Sequence, residues 1–305
     1  MRSIASIASP QPPPAGTRHR RGRSAAARAV LAAAVAAGLA LVSLRAVSRS
    51  FIYFPWRWSE SEARAANPGY EEVWIARSGG PGLHAWLHRG TRPDLAVLIC
   101  HGNAGHLAVQ EGLLEPFRRL GVTALLFDYR GYGLSEGKPD EEGIAADTLA
   151  AFDRLLDLTG LPAGRLILFG KSLGGAPAVR VAAERGAAGV ILESVFTSAV
   201  DLGRHHYPFL PVGWLLEDRL EVESRLGAVR SPLLILHGGL DDIVPAQHAR
   251  RLAAAGGGRA RLVILPGAGH NDTYDADPEA YLRELRAFLE RLVFPAEDAA
   301  AGTPP

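Results

Sequence analysis

The pentapeptide Gly170-Lys-Ser-Leu-Gly174 constrains this chain most, because of what stands on either side of it. The run Arg165-Leu-Ile-Leu-Phe169 before it is apolar and β-prone, and Gly175-Ala-Pro-Ala-Val-Arg-Val-Ala-Ala-Glu184 after it reads as helix. A strand, a sharp turn and a helix in that order put Ser172 at the exposed tip of the turn, an arrangement called a nucleophile elbow. Glycines that lack a Cβ let the backbone fold back tightly enough to hold a serine in a strained conformation. The bare G-x-S-x-G pattern is weak in a chain with 34 glycines. Between a β run and an α run it predicts a serine nucleophile.

A serine nucleophile needs a base and an acid that orients the base, and both follow in the order Ser…Asp…His. Ser231-Pro-Leu-Leu-Ile-Leu-His-Gly-Gly-Leu-Asp-Asp-Ile-Val-Pro245 is an apolar strand ending in a glycine turn and two acids, with Pro245 opening the next helix. Asp241 lies on that turn, and Asp242 is its rival. Arg261-Leu-Val-Ile-Leu-Pro-Gly-Ala-Gly-His-Asn-Asp272 is another strand, closing in a loop that carries His270. The three residues thus sit at the carboxyl ends of strands, where open α/β sheets bind their ligands. A fourth strand, in Leu95-Ala-Val-Leu-Ile-Cys-His-Gly-Asn-Ala-Gly105, enters a His-Gly loop. Its position suits an oxyanion hole built from the backbone N–H groups of Asn103 and Leu173. Both donors are main-chain groups, so their side chains are expected to matter little.

Taken together these segments resemble the α/β-hydrolase superfamily, and more narrowly its single-pass, membrane-anchored α/β-hydrolase domain-containing proteins, here in a bacterial member. The matching stretches are His101-Gly-Asn-Ala-Gly-His106, Asp128-Tyr-Arg-Gly-Tyr-Gly-Leu-Ser-Glu-Gly137, Gly170-Lys-Ser-Leu-Gly-Gly175, Glu193-Ser-Val-Phe-Thr197 and His270-Asn-Asp-Thr273. The resemblance implies an α/β-hydrolase fold: a mostly parallel sheet of the eight-stranded type, helices on both faces, and a cap insertion. It maps the nucleophile on Ser172, the acid on Asp241 and the base on His270. Counted back from Pro245, the family register prefers Asp241 to Asp242. Pro177 departs from many relatives, but so early in a helix few N–H groups have intrahelical partners. Membership implies hydrolase chemistry far more strongly than any one substrate.

At 305 residues, 48% hydrophobic and 21% charged, the composition is that of an ordinary globular protein. A net charge of +1 gives no sign of nucleic-acid binding. The sole cysteine, Cys100, ends an apolar strand and reads as a small buried hydrophobe. No disulfide within the chain is possible, no metal-ligand spacing stands out, and no cofactor is implied. The cations are nearly all arginine, Lys138 and Lys171 being the only lysines, which suggests a GC-rich bacterial genome.

Residues 1–28 form an Arg- and Pro-rich N-terminus expected to be disordered. Residues 29–47 read as a signal anchor. Its uncharged core, 29–44, would span about 24 Å as a helix, with Arg28 and Arg45 snorkelling to make up the bilayer's thickness. Ala46-Val47-Ser48 loosely fits a cleavage site, so a cleaved signal peptide competes with the anchor. Phe51-Ile-Tyr-Phe-Pro-Trp-Arg-Trp58 supplies an aromatic belt suited to the membrane interface. Arg18, Arg20, Arg21, Arg23 and Arg28 outweigh Arg45, Arg49 and Arg57. The positive-inside rule therefore leaves the N-terminus in the cytoplasm, and the catalytic domain outside it on the bacterial inner membrane.

The domain is expected over 50–293, with a disordered tail at 294–305. Strands are expected at 71–77, 83–87, 95–100, 122–127, 165–169, 188–192, 232–236 and 261–265. Helices are expected near 107–120, 141–158, 173–185, 245–255 and 277–292. The interruption at 197–227 is the short cap, and Tyr207, Phe209, Trp214 and Leu215 on it are candidate substrate-binding residues for an apolar acyl group. His101 reads as a structural hydrogen bonder and Asp128 as a loop brace. His106, His205, His206 and His248 read as surface or cap residues, Asp272 as a cap of the last helix, and Lys171 as solvent-facing. The favoured function is a serine hydrolase of carboxylic esters or thioesters acting on a small-molecule or lipid acyl substrate at a membrane. A peptidase on the same fold and a catalytically silent membrane-bound interaction module stay open as alternatives. The oligomeric state is not legible.

Overall fold

The computed structural model describes residues 17–77 and 80–293. The chain divides into two compact units after Val47. The first holds helix α1 (Thr17–Ala46), within which Ala26–Arg45 is long and apolar enough to cross a membrane. Its 20 residues correspond to about 30 Å of helix, the thickness of a bilayer's hydrocarbon core. The helix begins inside the segment expected to be disordered, where Ala25, Ala26 and Ala27, strong helix formers, extend it. The rest of that N-terminus and the 294–305 tail lie outside the described residues.

The second unit opens with β1 (Phe54–Pro55), α2 (Glu60–Ala66), β2 (Glu71–Arg77) and β3 (Gly80–His88). Next come β4 (Ala96–Cys100), β5 (Ala104–Gly105), α3 (Leu107–Gln110), α4 (Glu115–Arg119) and β6 (Thr123–Phe127). They lead to α5 (Glu141–Thr159), β7 (Leu166–Lys171), α6 (Gly175–Arg185) and β8 (Gly189–Glu193). The cap carries α7 (Ala199–His206) and α8 (Val212–Leu215). Last are β9 (Leu233–Gly238), α9 (Ala246–Gly256), β10 (Ala260–Leu265) and α10 (Pro278–Val293).

Eight strands form one sheet in the order β10-β9-β8-β7-β4-β6-β3-β2. It is parallel from β10 to β6, and β3 and β2 add antiparallel neighbours at one edge. Strand β4 shows why these segments read as unbroken apolar runs. Ala96, Leu98 and Cys100 face a core layer shared with Phe152 and Val179, while Val97 and Ile99 face the opposite layer with Phe117 and Phe288. A strand buried on both faces has no polar side to alternate with. Cys100 is fully buried, and burial pushes its thiol up to about 12.

Three local departures from the sequence reading have physical causes. The expected helix over 107–120 is broken into α3, a 3-10 turn and α4, because Gly112 and Pro116 interrupt it. Helix α2 is additional, and its start is written as a capping box in which Ser59 and Glu62 satisfy each other's backbone N–H groups. The two-residue strands β1 and β5 pair in parallel and are too short for any periodicity to show.

Candidate active site

Strand β7 runs into a 3-10 turn at Ser172–Gly174 and then into α6, which delivers the expected elbow. Ser172 sits at φ +49°, a left-handed backbone that a non-glycine residue adopts only under surrounding constraint. The constraint is visible in its flanks. A Cβ on Gly174 would lie 2.0 Å from the Cys100 carbonyl oxygen, and one on Gly170 2.6 Å from the Gly174 oxygen. The turn is thus clamped against the end of β4. Pro177 is the third residue of α6 and leaves the helix intact.

The expected acid and base come from the loops after β9 and β10. His270 Nδ1 and Asp241 Oδ2 are 2.8 Å apart, which assigns the ring proton to Nδ1 and turns Nε2 into the basic position. Asp241 Oδ1 accepts from the N–H groups of Ile243 at 3.0 Å and Val244 at 2.7 Å. Burial alone would push the Asp241 carboxyl up, but the bonds from His270 and Val244 outweigh it and hold the carboxyl below its ordinary value. Asp242, by contrast, is exposed. His237, not singled out from sequence, braces this loop. Its Nε2 donates to the Val244 carbonyl at 2.7 Å and stands 3.5 Å from Asp241 Oδ2, and burial lowers its pKa.

The loop after β4 lies against the elbow, since a Cβ on Gly102 would stand 4.0 Å from Ser172 Cβ. That loop carries Asn103, and Leu173 is buried in the turn after Ser172. The Asn103 side chain has its own work: Oδ1 accepts from Phe54 N at 3.0 Å and from the Tyr132 hydroxyl at 3.1 Å. The expectation that this side chain matters little therefore needs correcting, because it fixes the loop whose N–H is the proposed donor. Beneath the loop, His101 Nδ1 donates to the Gly102 carbonyl at 2.6 Å, and its Nε2 is 3.6 Å from Asp128 Oδ1. Burial lowers His101 to about 4 and raises the Asp128 carboxyl far above the usual range. The two lie against each other beneath the loop, and the carboxylate that meets His270 is that of Asp241.

Lys171 corrects a second expectation. It is buried, not solvent-facing, and its Nζ donates to Glu193 Oε1 at 2.6 Å and to the His270 carbonyl at 3.1 Å. The residue before Ser172 is thereby tied directly to His270. Glu193 also accepts from Thr273 Oγ1 at 2.6 Å and from the Tyr281 hydroxyl at 2.5 Å. Burial works against its charge, yet Lys171 and these hydroxyls keep its carboxyl below the ordinary value. Nothing in the sequence signals this network, because its members are far apart along the chain.

Other single residues fall into place. His205 and His206 are exposed on the cap, and His206 Nε2 donates to the Ile243 carbonyl at 2.8 Å. His248 is buried instead, its Nδ1 accepting from Thr197 N at 3.2 Å, because α9 lies against the root of the cap. His106 is partly buried and stacks on Trp58 with ring centroids 3.8 Å apart. Asp272 Oδ1 accepts from Gly269 N at 2.6 Å, so it closes the histidine loop, and Asp277 caps the last helix through Ala280 N at 2.9 Å. On the cap, Tyr207, Phe209 and Trp214 are exposed and Leu215 is buried.

A strained serine elbow, an Asp–His pair and a main-chain loop beside the serine, all at the carboxyl edge of a parallel sheet, define a class before any relative is considered. Residues 96–212 match the model of the alpha/beta hydrolase fold family, and residues 211–301 match that of TAP-like proteins. The chain is 39% identical over 261 residues to a protein of Mycobacterium tuberculosis, covering 85% of this chain and 92% of that one. It is 30% identical to the alpha/beta hydrolase domain-containing protein WAV2 of Arabidopsis thaliana, over 84% of this chain and 91% of that one. Among solved structures, an esterase of Pyrococcus furiosus superposes with a TM-score of 0.65 at 20% identity, covering 79% of this chain and 97% of that one. The chain belongs to the α/β-hydrolase family.

Proposed function

We infer that the protein is a membrane-anchored serine hydrolase of carboxylic esters or thioesters with an apolar acyl group. The hydrogen bond from His270 to Asp241, on a loop tied by Lys171 to the serine elbow, is the observation that carries this reading. Ser172 Oγ attacks the acyl carbonyl carbon while His270 Nε2 takes its proton. The oxygen that becomes negative is held by the N–H groups of Asn103 and Leu173. Collapse breaks the bond to the leaving alcohol or thiol, which departs with the proton from Nε2. Water then attacks the acyl-enzyme, giving its proton to Nε2. The carboxylic acid leaves as that proton returns to Ser172. Asp241 stays ionised throughout and keeps the imidazole in the tautomer this requires.

Tyr207, Phe209, Trp214 and Leu215 form an apolar rim for the acyl chain, which favours an ester over a peptide with a charged terminus. Ala26–Arg45 serves as the anchor, and the charge balance around it puts the catalytic domain outside the cytoplasm. Rates on a p-nitrophenyl ester test the chemistry. Ser172→Ala and His270→Ala should each lower kcat by about 10³–10⁶ with the fold intact, and the double variant should be scarcely worse. Asp241→Asn should cost less, and Asp242→Asn little. An Asp242→Asn more damaging than Asp241→Asn would overturn the assignment of the acid.

A further inference from the structure

The residues that follow the apolar helix are built into the walls of the candidate site. At the cap side, Arg49 Nε donates to Asp218 Oδ1 at 3.3 Å and the Tyr53 hydroxyl to Asp218 Oδ2 at 2.8 Å. Asp218 is buried and lies three residues beyond Leu215, the end of α8. At the other side, β1 pairs with β5, Phe54 N donates to Asn103 Oδ1, and Trp56 N donates to the Gly105 carbonyl at 3.2 Å. The Gly133 N–H returns a bond to the Trp56 carbonyl at 2.8 Å, and Arg57 Nη1 donates to the Ser135 carbonyl at 3.0 Å. Residues 48–58 are thus a strap joining the cap to the loop of the proposed oxyanion hole.

The strap turns its aromatics two ways. Tyr53 is buried and Trp58 partly so, whereas Phe51 is 68%, Phe54 49% and Trp56 56% exposed. The cap adds Phe209 at 79% and Trp214 at 75%. Five large aromatic side chains left open on the strap and the cap it is bonded to exceed the scattered single hydrophobes normal on a soluble surface. The occupant follows from the covalent chain. Phe51 stands five residues and Trp56 ten beyond Ala46, the end of α1. At about 3.5 Å per residue at most, they lie within roughly 18 and 35 Å of that helix end. Phenylalanine and tryptophan so near a membrane span favour the lipid interface.

We propose that these aromatics rest on the lipid bilayer surface, so that the mouth of the site opens at the membrane and its acyl substrate is a lipid of that bilayer. The proposal rests on the anchored-hydrolase reading and adds to it where the site faces. The strap then acts as a positioning device: the chain that emerges from the bilayer also fixes Asn103, and with it the oxyanion loop.

The full-length protein reconstituted in vesicles of phosphatidylcholine and phosphatidylglycerol tests this, with part of the lipid brominated near the head of the acyl chain. Bromine quenches tryptophan fluorescence on contact. Quenching should be strong in the wild type, unchanged in Ser172→Ala and Trp74→Phe, and largely lost in Trp56→Phe/Trp214→Phe. Trp74 is exposed on the edge strand β2, outside both the strap and the cap, and so serves as the control for an exposed tryptophan not assigned to the lipid surface. Protein that floats with the vesicles but shows no quenching, or quenching that survives in the Trp56/Trp214 double variant, would overturn the proposal and leave the anchor standing. Protein that does not float with the vesicles would overturn the anchor as well. The same outcome in Ser172→Ala keeps both results separate from the chemistry.

Discussion

Lys171, the residue before Ser172, and Glu193 bury opposite charges, and a buried pair is far more costly to halve than to remove whole. Glu193 uses its oxygens on Lys171, Thr273 and Tyr281, and Lys171 spends a second donor on the His270 carbonyl. Glu193→Gln should therefore destabilise the fold by about 3–5 kcal/mol, through the uncompensated ammonium it leaves behind. Lys171→Met/Glu193→Leu should recover a good part of that in urea unfolding, whereas losses that simply add would contradict the pairing. The pH dependence has a definite sign. The folded carboxyl of Glu193 lies below its unfolded value of 4.5, so its stabilisation is complete above that pH and drains as pH falls through the folded value. Glu193→Gln should flatten this part of the acid limb. Sequence could not disclose the pair, because a lysine in a turn motif usually faces water and Glu193 sits on the neighbouring strand. The serine elbow and the Asp241–His270 pair were legible because each member closes its own apolar run.

At the scale of elements, the cap is the part proposed to hold the acyl group. It is two short helices, α7 and α8, with Val212 and Leu215 turned inward and Phe209 and Trp214 left open. If this rim meets an acyl chain, longer chains gain transition-state binding until the rim is covered. Each methylene buried is worth up to about 0.8 kcal/mol, roughly fourfold in kcat/KM. From acetyl to hexanoyl esters kcat/KM should climb by about one to two orders of magnitude. Trp214→Ala should flatten that slope more than it lowers acetyl-ester turnover. A flat profile in the wild type would mean that the cap aromatics do not touch the acyl group. Element boundaries show where sequence reading reaches its limit. The eight sheet strands stand within a few residues of their expected positions: β4, β7, β8 and β9 are buried on both faces and read as apolar runs, while the edge strand β2 alternates, with Val73 and Ile75 buried between exposed neighbours. The strap strand β1 has two residues and is held by Asn103 and β5, so its existence depends on tertiary contacts that no local pattern records.

For the whole molecule, the chain divides after Val47, and the proposed orientation rests on the charges flanking the apolar helix. Alkaline phosphatase, active only after export, should be active when fused after residue 294. A full-length but inactive fusion would put the domain in the cytoplasm. The fold, the elbow and the Asp241–His270 pair could be read from the chain because strand ends are marked locally. The Lys171 network, the His237 brace and the strap could not, since each joins residues brought together only by the sheet. The most direct measurement of the central claim is reaction of the full-length protein with a fluorophosphonate, followed by mass spectrometry of the modified peptide and an ester assay. One adduct on Ser172, appearing in step with the loss of ester hydrolysis, is the predicted result. Hydrolysis that persists when Ser172 is fully modified, or an adduct that forms elsewhere and abolishes it, would contradict Ser172 as the nucleophile.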